Sequence, residues 1–202
     1  MPLRLQIFED RYKAMMHHVL ETDSLFGVVL IRRGQEALGP LAEPYEIGCT
    51  ARVLQTQPLP DGRMNLLAVG QERFHTLSLD RSSQSYLVGQ IDYQPLNAQD
   101  PQVARRAAGR LRPSLERYLQ ALAQAGSPSP RQEPLPEEPA MLAYLAAILV
   151  QSSPAEKQGY LEAPSTEALL DQMITTYRRE LALVGVMLSP GGGRGTGNFS
   201  AN

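Results

Sequence analysis

Hydrophobic and polar positions alternate at the start of the chain. Leu3 and Leu5 are separated by Arg4 and Gln6, the two-residue period of a half-buried strand. From Tyr12 the period lengthens. Tyr12, Met15, Met16, Val19 and Leu20 recur at helical spacing, and Glu9 and Asp10 fall in the first turn, where carboxylates favour the positive end of the helix dipole. Leu25–Ile31 is an unbroken apolar run of buried-strand length. Gly34, Gly39, Pro40 and Pro44 then mark Arg32 to Pro44 as a loop. A second strand is predicted from Ile47 to Gln57, with Ile47, Cys49, Ala51 and Val53 on one face and Thr50, Arg52 and Leu54 on the other. Asp61–Gly62 is the strongest hairpin signal in the sequence, and Met64–Val69 returns as its partner strand, ended by Gly70. Two more strands follow, Arg73–Leu79 and Tyr86–Tyr93, before Pro95.

Near Asp100 the pattern changes in kind. Ala104, Ala108, Leu111, Leu115, Tyr118 and Leu122 form one continuous apolar seam, the signature of a long helix, and Pro113 inside it predicts a kink. Residues 126–139 (GSPSPRQEPLPEEP) carry almost no core-forming side chains and read as an extended linker. Pro139–Val150 is an apolar helix. Ser153 to Glu156 is a capping box with Pro154 at the first helical position, starting a short helix to about Leu161. Ser165 or Thr166 caps a last helix whose core face is Leu169, Leu170, Met173, Ile174, Tyr177, Leu181 and Val184. Residues 189–202 are glycine-rich without an apolar period and read as a disordered tail. Strands before about residue 96 and helices after it indicate an α+β protein.

Composition narrows the possibilities without choosing among them. The 202 residues are 43% hydrophobic and 20% charged, as in an ordinary globular protein. A single cysteine excludes an intramolecular disulfide, and with no signal-peptide or spanning segment in view the expected compartment is the cytoplasm, with no membrane contact. The net charge of −2, the absence of Trp and the 6% aromatic content argue against nucleic acid as the partner.

The residues able to do chemistry are few and scattered. His17 and His18 are neighbours on a helix and diverge by about 100°, a poor geometry for sharing a metal, and His75 lies far away in sequence. Cys49 falls among apolar strand residues and reads as a buried, inert thiol. Lys13 and Lys157 are the only lysines, and neither adjoins a serine in a strained turn. Gly191–Gly197 lacks the Gly-Lys-Ser/Thr ending of a phosphate loop, and Glu137–Glu138 lie on the linker, with no pocket to perturb them. No enzyme activity, cofactor or metal is expected. The candidate for partner binding is the stripe Arg106, Arg110 and Arg117, within about 40° of one another on the face of the long helix opposite its leucines. Open sheet edges are a second candidate, because they accept extended peptides through main-chain hydrogen bonds.

Several short pieces, in order and at consistent spacing, resemble the amino-terminal domain of Lon proteases. They are Ile7–Glu9 (IFE), Arg11–Tyr12, Phe26–Ile31 (FGVVLI), Ile47–Gly48 followed by Ala51–Val53, Asp61–Gly62, Gly70–Phe74 (GQERF), and Glu156–Gln158 with Leu161–Glu162. The resemblance covers about Pro2 to Leu188. It implies a PUA-like small β-barrel in residues 1–96 followed by a helical bundle in 97–188, and a standalone, bacterial-type, non-catalytic module that binds unfolded or extended polypeptide segments. Neither the ATPase nor the Ser-Lys protease part of Lon has a counterpart here. A scaffold that recognises one specific folded partner is the alternative, and the oligomeric state is left open. In similar sequences another strand precedes the segment matching Leu3. Its absence predicts either a start codon about 15–20 residues upstream, the length of a strand and its turn, or a barrel edge prone to self-association.

Overall fold

The computed structural model describes residues 1–35, 42–124 and 134–188, with side chains described as far as Leu183. The elements in chain order are β1 (Pro2–Ile7), α1 (Asp10–Glu21), β2 (Leu25–Val28), β3 (Ile31–Arg33), β4 (Glu43–Pro44), β5 (Ile47–Pro58), β6 (Met64–Asp80), β7 (Val88–Tyr93), α2 (Pro101–Gln124), α3 (Pro139–Leu149), α4 (Pro154–Leu161) and α5 (Thr166–Leu188). They form two compact units. One comprises Met1–Leu96 with Ser152–Glu162, the other Asn97–Gln151 with residues from Ala163 onward.

The first unit is built on a mixed-length antiparallel sheet in the order β1-β6-β5-β2. The sheet is not the closed barrel the resemblance implies. Among the described residues β1 and β2 are the two ends of the path and do not pair with each other, and β7 lies beside the far half of β6. Alternation in β1 places Leu3 opposite Ala68, Leu5 opposite Leu66 and Ile7 opposite Met64, so apolar cross-strand pairs line one face. Met16 and Val19 of α1 form one buried cluster with Ile7, Ala51, Leu66 and Ala68 of the sheet. Arg11 donates to Glu9 at 2.9 Å and stacks over the Tyr12 ring, which fixes the turn from β1 into α1.

Three corrections to the predicted strands have physical causes. Gly70 does not end a strand: β6 runs through it, and the irregularity is a bulge in which β6 carries Gln71 and Glu72 opposite Thr50. The Thr50 hydroxyl repairs the ladder there, accepting from the Glu72 N–H at 3.1 Å and donating to its carbonyl at 3.2 Å. The bulge also changes which β5 residues face inward. Gly48, Thr50 and Ala51 are buried, whereas Cys49 is only half-buried. Lastly, the apolar run Leu25–Ile31 is two strands rather than one, since β3 leaves the main sheet to pair with β4.

Helix α4 belongs to this unit. Its capping box is formed, with Ser153 and Glu156 exchanging side-chain-to-backbone bonds. The buried Gln158 side chain donates to the Ile47 carbonyl at 3.1 Å and to Glu162 at 2.8 Å. Arg73 donates to the Gln94 and Leu161 carbonyls at 2.7 and 3.0 Å. Two side chains thus satisfy main-chain acceptors that a helix end and strand ends would otherwise leave open.

In the second unit α2 and α5 run side by side in the same direction. Near their starts Thr166 N–H donates to the Asn97 carbonyl, and Asp100 N–H donates to Glu167 Oε1 at 2.8 Å. Farther along, Arg110 meets Asp171, and then Tyr118 meets Tyr177 edge to face at 5.1 Å between ring centres. The predicted seam is buried at Ala104, Ala108, Leu111, Leu115 and Tyr118 and half-buried at Leu122. It continues through Pro113 within a single helix. Tyr177 donates its hydroxyl to the Ala146 carbonyl of α3 at 2.9 Å inside this core. On α5, Leu169, Leu170, Met173 and Ile174 are buried as the spacing predicts. The Val184 side chain, residues 126–133 of the predicted linker and the 189–202 tail lie outside the described residues. The end of the linker is held, for Arg112 donates to the Leu135 and Pro136 carbonyls, and Glu138 caps α3 by accepting from Ala140 and Met141 N–H.

Candidate binding surfaces

The titratable side chains stay apart. His17 pairs with Glu21 at 3.2 Å on α1, and His75 pairs with Glu46 at 3.3 Å on the sheet. Lys13 is paired with Asp10, and Glu137 lies 3.9 Å from Arg112. Burial pushes the Cys49 thiol above its ordinary value, so the thiolate that a nucleophile needs is disfavoured. Among the described residues no group of three or more His, Cys, Asp or Glu is placed to hold a metal ion, and no helix is long and apolar enough to cross a membrane.

What the first unit offers instead is strand edge and apolar surface. Two register shifts each leave one residue without a cross-strand partner: Leu54 in β5, between the pairs Val53–Ala68 and Gln55–Leu67, and Leu77 in β6, between Thr76–Ile91 and Ser78–Gln90. These two leucines are 58% and 56% exposed, the highest values among the large apolar side chains of the strands. Bulges commonly re-aim a side chain in this way. Val88 and Tyr93 on β7 are also exposed. Alternation in the sequence assigns Leu54 to an ordinary strand face. A bulge is set by the partner strand's register, so nothing local announces it.

In the second unit Arg106, Arg110 and Arg117 all lie exposed on α2, as the helical spacing predicts. The structure separates them by environment. Arg110 forms an ion pair with Asp171 of α5 at 3.1 Å, while Arg106 and Arg117 make no hydrogen bond or ion pair with any described residue. Near the helix starts, Glu167 is held well below the usual carboxylate range, at about 2, chiefly by the Asp100 N–H it accepts. Asp100 in turn accepts from Gln102 and Val103 N–H and so caps α2. This junction joins residues 67 apart and is not visible in local spacing. The only local hint was an Asp one residue before Pro101, a common cap position.

Comparison with known proteins adds the following. The model of the ATP-dependent protease La (LON) substrate-binding domain matches residues 1–176. Lon protease 1 of Thermus thermophilus is 29% identical over 172 residues, which are 84% of this chain and 21% of that protein, so the chain spans about a fifth of the relative's length. Among solved structures, a Lon N-terminal domain protein from Xanthomonas campestris superposes with a TM-score of 0.63 at 22% identity, over 87% of this chain and 89% of that one. The N-terminal domain of the Mycobacterium avium complex Lon protease gives 0.60 at 13% identity, over 88% and 90%.

Proposed function

We propose, because this chain belongs to the ATP-dependent protease La (LON) substrate-binding domain family, that it captures unfolded or extended polypeptide segments and performs no chemistry on them. The family match over residues 1–176 carries the reading. The sheet supports it physically. Among the described residues its path ends on β1 and β2, whose outer main-chain groups can pair with an extended segment. Leu54 and Leu77 add exposed apolar side chains on the same sheet. Apolar contacts of this kind are non-directional, which suits a binder of many sequences rather than one. The cytoplasm is the compartment in which we place this activity.

Calorimetry with a permanently unfolded client, a reduced and alkylated globular protein, tests the proposal. Burial of apolar surface gives a negative heat-capacity change. The expected result is that signature, with affinity nearly constant between low and high salt. Binding only to one native protein, at fixed stoichiometry and with no uptake of the unfolded client, would replace this reading with that of an adaptor for a single folded partner.

A further inference from the structure

The arginine stripe of α2 is half of a larger feature. The contacts between Asn97 and Thr166, Arg110 and Asp171, and Tyr118 and Tyr177 occur in the same order along both helices. A step of seven residues is two helical turns and returns to nearly the same face. That step carries Arg110 to Arg117 on α2 and Asp171 to Arg178 on α5. Arg178 is exposed and, like Arg106 and Arg117, makes no hydrogen bond or ion pair with any described residue. The flank on which an arginine meets an aspartate therefore continues, two turns on, as arginine beside arginine. Three unneutralised guanidiniums share one ridge with a single carboxylate, that of Asp171. The unit's other described acids lie elsewhere: Asp100 and Glu138 cap helices, Glu167 binds the Asp100 N–H, Glu137 approaches Arg112, Glu180 pairs with Arg179, and Glu116 is turned about 80–120° around α2 from the stripe.

We infer that this ridge, Arg106, Arg117 and Arg178 about the Arg110–Asp171 pair, docks an acidic polypeptide segment. Arg106 and Arg117 are eleven residues apart, about 16 Å along the helix at 1.5 Å per residue. An extended segment of about five or six residues covers that span, so carboxylates spread over that length can meet both ends. Arginine suits the task, since its planar fork binds a carboxylate through two parallel hydrogen bonds. Polypeptide is favoured over nucleic acid. Asp171 sits within the ridge, where it repels a continuous phosphate backbone but leaves room for separate carboxylates. Among the described residues of this unit no exposed aromatic accompanies the arginines to stack a base. This surface is in a different unit from Leu54 and Leu77, and the inference stands whether or not apolar clients are captured.

The test uses the full chain and a fluorescein-labelled dodecamer of glutamate, with a glutamine dodecamer as control. The expected result is binding of the glutamate peptide alone, weakening steeply with salt. The triple variant Arg106→Gln, Arg117→Gln, Arg178→Gln should bind roughly tenfold or more weakly, the combined effect of three exposed charge contacts. A second triple variant, Arg4→Gln, Arg33→Gln, Arg63→Gln, makes the same change in net charge in the other unit and should bind as the parent does. Equal loss in both variants, or no binding by the parent, would overturn the inference. So would tighter binding of a single-stranded oligonucleotide of equal charge, which would make the ridge a general polyanion site. Uptake of the alkylated client, measured on the same samples, reports separately on the proposed function.

Discussion

Of the described glycines, Gly48 has the least room for a side chain. It pairs directly with Phe74 across β5 and β6, and the Phe74 ring lies over it. A Cβ added at Gly48 would stand 2.5 Å from Phe74 Cζ, 2.8 Å from Cε2 and 2.6 Å from Val29 Cγ1. Carbon atoms pack at about 3.5–4.0 Å, so the ring must move by about 1 Å. It has nowhere to go, since Phe74 is buried and its ring also rests 3.4 Å from the Cβ position of Gly27. Alanine is ordinarily favoured over glycine within a strand by roughly 0.5–1 kcal/mol. Overpacking costs about 1–3 kcal/mol, and here it should exceed that gain. Gly48→Ala is therefore expected to destabilise the first unit by about 1–2 kcal/mol, the difference between these opposing effects. Urea unfolding with an unchanged m-value would measure the loss, and amide exchange of β5 and β6 would assign it to the sheet. Phe74→Leu shortens the obstructing side chain, so the double variant should lose less than the sum of the two single ones, with a coupling of about 0.5–3 kcal/mol. A Gly48→Ala protein as stable as the parent, or strict additivity with Phe74→Leu, would refute this account of the packing.

Three further outcomes are expected. Glu167 has its folded-state pKa lowered from 4.5 to about 2, so its bond to Asp100 N–H stabilises the second unit above pH 4.5 and is lost as pH falls towards 2. In acid titrations followed by circular dichroism, Glu167→Gln should be less stable than the parent at neutral pH, with the difference closing below about pH 2, the folded-state value, where both side chains are uncharged. Gln158→Leu should leave the Ile47 carbonyl without its donor and cost about 1–3 kcal/mol, seen as faster amide exchange confined first to α4. Leu115→Ala, at a fully buried position, should cost about 2–5 kcal/mol in denaturant unfolding, whereas a loss below about 0.5 kcal/mol would mean that the seam is not core.

Much of the fold is legible because periodicity reports burial directly. The α2 seam, the α5 face through Tyr177, the Ser153–Glu156 capping box and the turn at Asp61–Gly62 all follow from local spacing. What the sequence conceals is set by partners distant along the chain. The continuity of β6 through Gly70 depends on the Thr50 hydroxyl, twenty-two residues from the Glu72 backbone it binds. The exposure of Leu54 and Leu77 depends on cross-strand register, and the open sheet on which strands fail to meet. The candidate surfaces divide in the same way. Helical spacing alone finds Arg106, Arg110 and Arg117, but only the packing of α5 distinguishes Arg110 from the other two and adds Arg178.

Fluorescence anisotropy on a single labelled client, measured once folded and once permanently unfolded, tests substrate capture most directly. Matching the sequence of the two forms leaves exposure of apolar and main-chain groups as the variable. Capture of extended segments predicts saturable binding of the unfolded form at both low and high salt and none of the native form. Equal affinity for the two forms, or binding of the native one alone, would contradict it.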